Sequence, residues 1–495
     1  VRVGVLNQRH PSYDGERLAR MQALHDGGAA WDGLKASWFP MRKMEPSDVR
    51  QERLELAHYI NYTGNIIGSM ASMLFSEAPS VAGLEGEFYT RFFEDVDRQG
   101  SSWAEFWRAR FLDALVQRKS WVWVNLPRRP VAKEGEEVQK PGNLQAELTG
   151  GFLDAFLVGL SGDQVIDWGE DDSGRLAWVV IHDVVSKRGG VGEARKKVFR
   201  WTYVTGTLIQ RWEWTATEQK SEPGRDDEAT EVLKAPHNMG SLPVFRLELP
   251  ILLWPMGRLE DPAIALTRSE NDLHWALHQA ANELLVVASK WAEKGIGALG
   301  HGHFMKTERD KNGRDEVYFV APSGVAFEHL EKQVERLRDD LHRVVSQMAQ
   351  AASSDSTRAR MSGESKNADW RAAEVMLAAF AGLVLDAMRD VLRLIAGLRG
   401  DPGDIQVSGL DGWHQEDIMA WLESAALATE AHQLSPTFRR VVARRQAERV
   451  LPDASSEQME AIHKEIEEAD VETGPLFAET TVPDDDADTG DHAGE

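Results

Sequence analysis

Histidines 274 and 278 stand four residues apart in a long stretch of helical patterning, with His301 and His303 a short way downstream. On a helix that spacing puts both imidazoles on one face, where a divalent metal would need a third ligand and an open position to activate water. Glu270 and Asp272 are close enough in sequence to offer a carboxylate. The general-base glutamate of a zinc-protease HExxH is missing, because Trp275 follows His274. Helix-surface or helix-interface histidines are therefore the favoured reading, and a metal-dependent hydrolase using His274 and His278 is the alternative.

A second pattern, Gly295-Ile-Gly297-Ala-Leu-Gly300, matches the GxGxxG dinucleotide fingerprint letter for letter. That fingerprint works when its glycines join a strand to a helix whose first amides face a pyrophosphate. Here a helical pattern precedes and a strand pattern follows, so the glycines are expected to form a flexible bend at a helix end. No Walker lysine motif and no GxSxG elbow occurs. With no cysteine in 495 residues, thiolate zinc sites, cysteine nucleophiles, iron-sulfur clusters and disulfides are excluded. The expectation is a protein that is not an enzyme, with no catalytic residue, metal or cofactor.

Seventeen tryptophans against six tyrosines invite a reading as base-stacking platforms, the more so where Trp103 and Trp107 adjoin Arg108 and Arg110. Those segments are also amphipathic helix or paired strand, so core and interface anchors are favoured. The 80 acidic against 56 basic residues give a formal net charge of -24, which works against broad DNA binding by phosphate neutralisation. The most apolar run, 375–385, is about half the ~20 residues that cross a bilayer. The first residues lack the charged start and apolar middle of a signal peptide, and a cytoplasm-like setting without membrane contact is expected.

The elements that must position these residues follow from periodicity. Helical patterning covers most of 16–78, with Leu56, Ile60, Gly64, Ile67, Ala71 and Leu74 on one face. Strand patterns appear at 121–124, 176–181, 197–204, 207–214 and 242–249. Asp261-Pro262 resembles an N-cap followed by proline at the first helical position, and Gly295 suits the residue after a helix end. Between them Leu273, Leu277, Ala280, Leu284, Val287 and Trp291 form a seam. A second seam, Phe327, Leu330, Val334, Leu337, Leu341, Val344 and Met348, carries charge on its other faces. The excursion between them holds Phe304-Met305-Lys306 and Val317-Tyr318-Phe319-Val320 around Asn312-Gly313, which predicts a hairpin. A Ser-rich, charged stretch at 351–366 is expected to be a loop. A third long helix follows, with Leu377, Phe380, Val384, Met388, Val391, Ile395 and Leu398 on one face. Further helical pieces are expected at 415–429, 436–450 and 455–468, and then an acidic solvated tail.

Two seam-bearing helices around a short β excursion, then a polar loop and a third long helix, resemble the portal protein of tailed bacteriophages. Local motifs are similar to one branch of portal-like phage proteins: His10-Pro11, Phe39-Pro40, Arg53 opening a helix, Phe75-Ser76-Glu77-Ala78-Pro79 closing it, and Asn271, His274 and Trp275 in an Asn-x-x-His-aromatic pattern. The chain departs from relatives at Ala263-Ile264, where leucine is usual after the proline, and after Val471.

The resemblance implies an α+β portal fold with a mixed α/β wing, stem helices, a small β-hairpin clip and a helical crown, assembled as a ring of twelve. Its parts would be N-terminal helices and wing 1–260, first stem helix 261–294, clip 295–326, second stem helix 327–350, tunnel loop 351–366, tunnel helix 367–400, crown 401–470 and acidic tail 471–495. The stem seam would use Leu273, Leu277, Leu284, Leu330, Val334, Leu337 and Leu341. Asp310, Lys311, Asn312, Gly313 and Arg314 would dock partners at the clip, while Ser353, Ser354, Ser356, Thr357, Arg358 and Arg360 would touch DNA in the channel. The implied partners are the terminase large subunit, the major capsid protein, a head-tail adaptor, and double-stranded DNA in transient, non-specific contact. The implied location is a capsid vertex of the virion, reached from the host cytoplasm during assembly. A non-portal helical scaffold or adaptor is the remaining alternative.

Overall fold

The computed structural model describes residues 1–127, 144–188, 190, 194–237, 239–281, 284–288, 295–299, 302–307, 316–320, 324–352, 364–401, 403–412, 440, 443–444, 447 and 456–468. They belong to two units, 1–413 and 414–495. In the second unit a helix spans Ser456–Glu468, matching the helical pattern expected at 455–468. The pieces expected at 415–429 and 436–450 and the acidic tail lie wholly or mostly outside the described residues.

The first unit is α+β. It begins with a short helix α1 (Val3–Leu6), then α2 (Gly15–Asp26), α3 (Gly28–Trp38), α4 (Ser47–Leu56) and α5 (Tyr62–Leu74). Local chemistry sets their starts. The Asp14 side chain accepts from the Arg17 amide and that of Asn61 from the Gly64 amide, each satisfying a donor the helix leaves open. The apolar face read continuously from Leu56 to Leu74 is interrupted: 57–61 is not helical, and Ile60 is 43% exposed. Arg53, expected to open a helix, instead lies inside α4, drawn inward by an ion pair with Glu45.

After β1 (Ser80–Ala82) and α6 (Glu87–Glu94), a capping box of Ser102 and Glu105 starts α7 (Trp103–Gln117). Trp103 and Trp107 are buried in the core, as the anchor reading expected. The strand that follows, β2 (Lys119–Asn125), is buried along both faces because it lies between two cores. Val122 and Val124 join the helical core with α7, whereas Trp121 and Trp123 join a second cluster with Trp168, Val179 and Val204. Period-two alternation thus sends valines one way and tryptophans the other.

A short α8 (Leu144–Thr149) precedes β3 (Phe156–Ser161), β4 (Val165–Glu170), β5 (Leu176–Lys187), β6 (Lys196–Thr205), β7 (Leu208–Thr215), β8 (Thr230–Pro236) and β9 (Val244–Glu248). Strands β4 to β8 make a five-stranded antiparallel meander in sequence order, while β2 is the centre of a three-stranded sheet ordered β3-β2-β9. Strands β3, β4 and β8 had no clear alternation in the sequence.

Three long helices complete the core: α9 (Pro255–Ala281), α10 (Gly324–Ala352) and α11 (Glu364–Arg399). On α11, Leu377, Phe380, Val384, Met388, Val391 and Ile395 are all buried, as their spacing required. The first stem helix expected at 261–294 is displaced. Helix α9 starts at Pro255, which takes the favoured first position, and Pro262 lies within it. Proline there removes the amide that would bond the Arg258 carbonyl; Arg258 and Asp261 are exposed, so water can serve that carbonyl. The helix then ends at Ala281, and Leu284 belongs to a strand, β10 (Leu284–Ala288). The run Leu-Leu-Val-Val-Ala favours extended backbone through its branched valines, and the seam spacing merely continued across the boundary.

The excursion between α9 and α10 is a four-stranded mixed sheet ordered β11-β12-β10-β13, with β11 at Gly295–Leu299, β12 at Gly302–Thr307 and β13 at Glu316–Val320. The two strands expected as a hairpin are present but do not pair. β10 lies between them, parallel to β12 and antiparallel to β13. Gly295 and Gly297 sit in an edge strand rather than in a bend at a helix end. Residues 308–315, including Asp310, Lys311, Asn312, Gly313 and Arg314, lie outside the described residues, as do Ser353, Ser354, Ser356, Thr357, Arg358 and Arg360. The segment 364–366, expected to close the tunnel loop, is already the first turn of α11.

The chain returns after α11 to place β14 (Gln406–Ser408) antiparallel to β1. A side chain at Gly83, where φ is +89°, would meet the Asp404 carbonyl oxygen at 2.1 Å, so glycine is required for this closure. Leu410 is fully buried. Residues 401–412, expected to open the crown, therefore belong to the body.

Candidate assembly site along the long helices

Helix α9 is held by polar contacts along its length, which is unusual for a helix in a hydrophobic core. Glu260, with its side chain 7% exposed, accepts from Arg17 at 2.8 Å and lies 3.4 Å from Arg20, both on α2. One turn beyond Thr267, Asn271 bonds the main chain of the 57–61 linker. Its Nδ2 donates to the His58 carbonyl at 2.8 Å and its Oδ1 accepts from the His58 amide at 2.9 Å. The linker's irregular backbone is thereby satisfied by a side chain from the long helix.

The next residue face carries a second set. Glu270 accepts from the Tyr62 hydroxyl and from Arg338 of α10, both at 3.3 Å, and the Arg338 guanidinium lies 5.5 Å from the Tyr62 ring centre. Burial, then the Glu270 charge, pushes the Tyr62 hydroxyl above its ordinary pKa, while the bond that Arg338 donates to Glu270 raises the pKa of Arg338. Gln333 of α10 donates to Ser269 at 3.3 Å. Arg42, from the loop before α4, pairs with Asp272. That loop is fixed in turn by the Arg53–Glu45 pair, with bonds of 2.7 and 2.9 Å and side chains 6% and 4% exposed. The result is a continuous polar bracket joining the N-terminal helices, α9 and α10.

The seam residues separate into different environments. Val334 (6% exposed) and Leu341 (0%) belong to the chain's own core, and Leu273 and Leu337 pack partly against it. Leu330 is half-buried and Leu277 is 44% exposed. Leu284 is on β10 and off the helix. The inner part of the two seams is thus covered within one chain. The opposite face of α10 exposes Glu328, Glu331, Glu335 and Asp339 with Lys332 and Arg336, more acid than base.

The histidines that could have bound a metal are directed elsewhere. His274 meets the His58 ring edge-on at 5.1 Å, and His278 Nε2 lies 3.5 Å from Glu52. Among the described residues, no group of three or more His, Asp or Glu side chains could hold a metal ion. Of the polar bracket, Asn271 and Arg53 stand out in the sequence as motif residues, and Glu270 and Asp272 as possible carboxylate ligands beside His274. Glu260 carries no such local motif, although an acid on the inner face of an amphipathic helix is itself a signal, since burying a charge requires a partner.

The sequence matches no family model and no curated protein. Among solved structures, the chain is similar to one described as the neck of an empty GTA particle computed with C6 symmetry. The TM-score is 0.41 at 13% identity, over 77% of this chain and 90% of the other. A second likeness is to a chain of the virion of a native gene transfer agent particle, at a TM-score of 0.39 and 13% identity, over 84% and 99% of the two chains.

A cavity of 330 Å³ between the sheets is lined by Trp123, Ile209, Leu233 and Met239 with His237 and Arg211. Its histidine has both ring nitrogens in contact with main chain: Nε2 is 2.7 Å from the Thr205 carbonyl, and Nδ1 accepts from the Met239 amide at 3.2 Å. The ring is therefore held as a structural tie, without a free nitrogen for general acid or base work.

Proposed function

We propose that the chain is a portal-type subunit, a non-enzymatic protein that assembles with copies of itself into a ring at a capsid vertex through which double-stranded DNA passes. The observation that carries this reading is the succession α9, four-stranded sheet, α10, α11. Two long helices pack along each other, their connection is an independent small sheet, and a third long helix follows. That order corresponds to stem, clip, stem and tunnel helix in the family that the sequence resembles.

The electrostatics are compatible with passage. A net charge of -24 and an acid-rich outer face on α10 disfavour adhesion of a polyanion, so DNA in a channel would slide. The clip sheet would present the docking surface for the terminase large subunit and later a head-tail adaptor, and the body would contact the major capsid protein. Arg358 and Arg360 would supply weak, salt-screened phosphate contacts.

Eliminating the chain from the producing particle system tests the role. Heads should still assemble but contain no nuclease-protected DNA; DNA-filled heads formed without the chain would end the proposal.

A further inference from the structure

We infer that strand β11 of one copy pairs, in parallel, with strand β13 of the next copy, so that the small sheets of neighbouring chains join edge to edge. This deepens the ring reading and rests on it, and three observations support it.

First, among the described residues β11 pairs only with β12, and β13 only with β10. Each outer edge therefore presents a row of unpaired amides and carbonyls, which seek another strand. Second, the five-stranded and three-stranded sheets of the body protect their edges. The meander ends at β4, which has register shifts and carries Asp167 and Glu170, and at β8, which carries Glu231, Lys234 and Pro236. In the three-stranded sheet, the outward Leu157 amide of β3 is taken by the Val96 carbonyl, and β9 carries Arg246 and Glu248. By contrast β11 is Gly-Ile-Gly-Ala-Leu, without charge or proline, and β13 has Glu316 as its one charged residue. Charges, prolines and bulges are the devices that keep an edge from pairing, and here they are nearly absent from both edges.

Third, the directions agree. β12 and β10 are parallel, and β11 and β13 are each antiparallel to their neighbour, so β11 and β13 run the same way. Rotation about an axis roughly along the strands keeps that direction, so a second copy brings its β13 beside β11 in parallel. Both strands have five residues. Because the two edges differ, the contact is head-to-tail, and such contacts either close as rings or extend as filaments. The occupant is therefore a second copy of this chain.

The absence of cysteine permits a direct test. In equal register Ala298 falls opposite Phe319 of the next copy, at an adjacent-strand spacing of about 4.8 Å, within disulfide reach. Inside one chain the same positions are three strand spacings apart, about 14 Å, which is too far. Full-length protein carrying Ala298→Cys and Phe319→Cys together should, on mild oxidation, give a ladder of covalent multimers. An equal mixture of the two single variants should stop at dimers, and neither single variant alone should cross-link. Ala298→Cys with Val317→Cys repeats the test for a register shifted by two residues and covers failure of the first variant to fold. Rings visible by negative-stain imaging with no cross-link from either pair would overturn the edge pairing and leave the ring standing. Neither rings nor cross-links would overturn both, and single variants that link to themselves would overturn the head-to-tail arrangement.

Discussion

Asn271 holds both main-chain polar groups of His58, donating to its carbonyl and accepting from its amide, so one side chain of α9 completes the backbone of a linker more than 200 residues earlier. Asn271 is itself buried. Asn271→Ala leaves both groups of His58 unmet and should cost about 2 to 3 kcal/mol, read as a lower denaturant midpoint. Asn271→Asp should also destabilise, since the carboxylate keeps the acceptor but loses the donor. Equal stability of all three proteins would show that the linker does not depend on this contact.

The buried pair of Arg53 and Glu45 makes a prediction in mutation and in pH. Arg53→Met should destabilise by about 3 kcal/mol, because Glu45 is left buried without its cation. The bond from Arg53 holds the Glu45 carboxyl down at about 2, against an ordinary 4.5. A depressed acid contributes stability that is full above its unfolded value and is lost as pH falls toward the folded one. Melting curves between pH 5 and about pH 2 should thus show an acid loss in the native protein that is smaller in Arg53→Met.

Core and outer positions of the seam should separate cleanly. Leu341→Ala removes a fully buried side chain and should cost about 2 to 4 kcal/mol, whatever the assembly state. Leu277→Asp, at a position 44% exposed, should change the stability of the chain by less than about 0.5 kcal/mol. Under the ring reading it should lower the assembled mass measured by light scattering. Rings of unchanged mass and stability would remove Leu277 from any subunit contact.

How far the sequence could be read depended on whether periodicity alone decides an element. The face of α11 from Leu377 to Ile395 was legible because six apolar residues recur at helical spacing without interruption. The division of Trp121-Val-Trp-Val between two cores was legible as a strand, though not as a boundary between clusters. The 4-3 spacing ran through Leu284 and Val287 although the backbone changes to strand after Ala281, since a spacing rule does not detect branched-residue preference. Pro262 misplaced the start of α9 because a proline on an exposed turn is tolerated inside a helix. The pairing of β10 between β12 and β13 was not legible at all: Asn312-Gly313 argued for a local turn, while the partner both strands share, β10, lies upstream of them at Leu284–Ala288. The polar bracket around α9 depends on pairs separated by up to 243 residues, and no local pattern announces them.

The channel contacts proposed for Arg358 and Arg360 predict a phenotype distinct from folding. Replacing both with Ala should leave thermal stability and ring mass unchanged but alter the rate of DNA packaging or the retention of packaged DNA. The effect should weaken as ionic strength rises, because exposed charges are screened over about 8 to 10 Å. Unaltered packaging kinetics at low salt would exclude a channel role for these two arginines.

Ring assembly can be read from images of the purified protein together with its mass in solution. A portal-type subunit should give closed rings with a central hole in negative stain and a scattering mass that is a multiple of 55.3 kDa, about twelve-fold under the proposed portal reading. A single species of 55.3 kDa at every concentration, with no ring in any field, would contradict it.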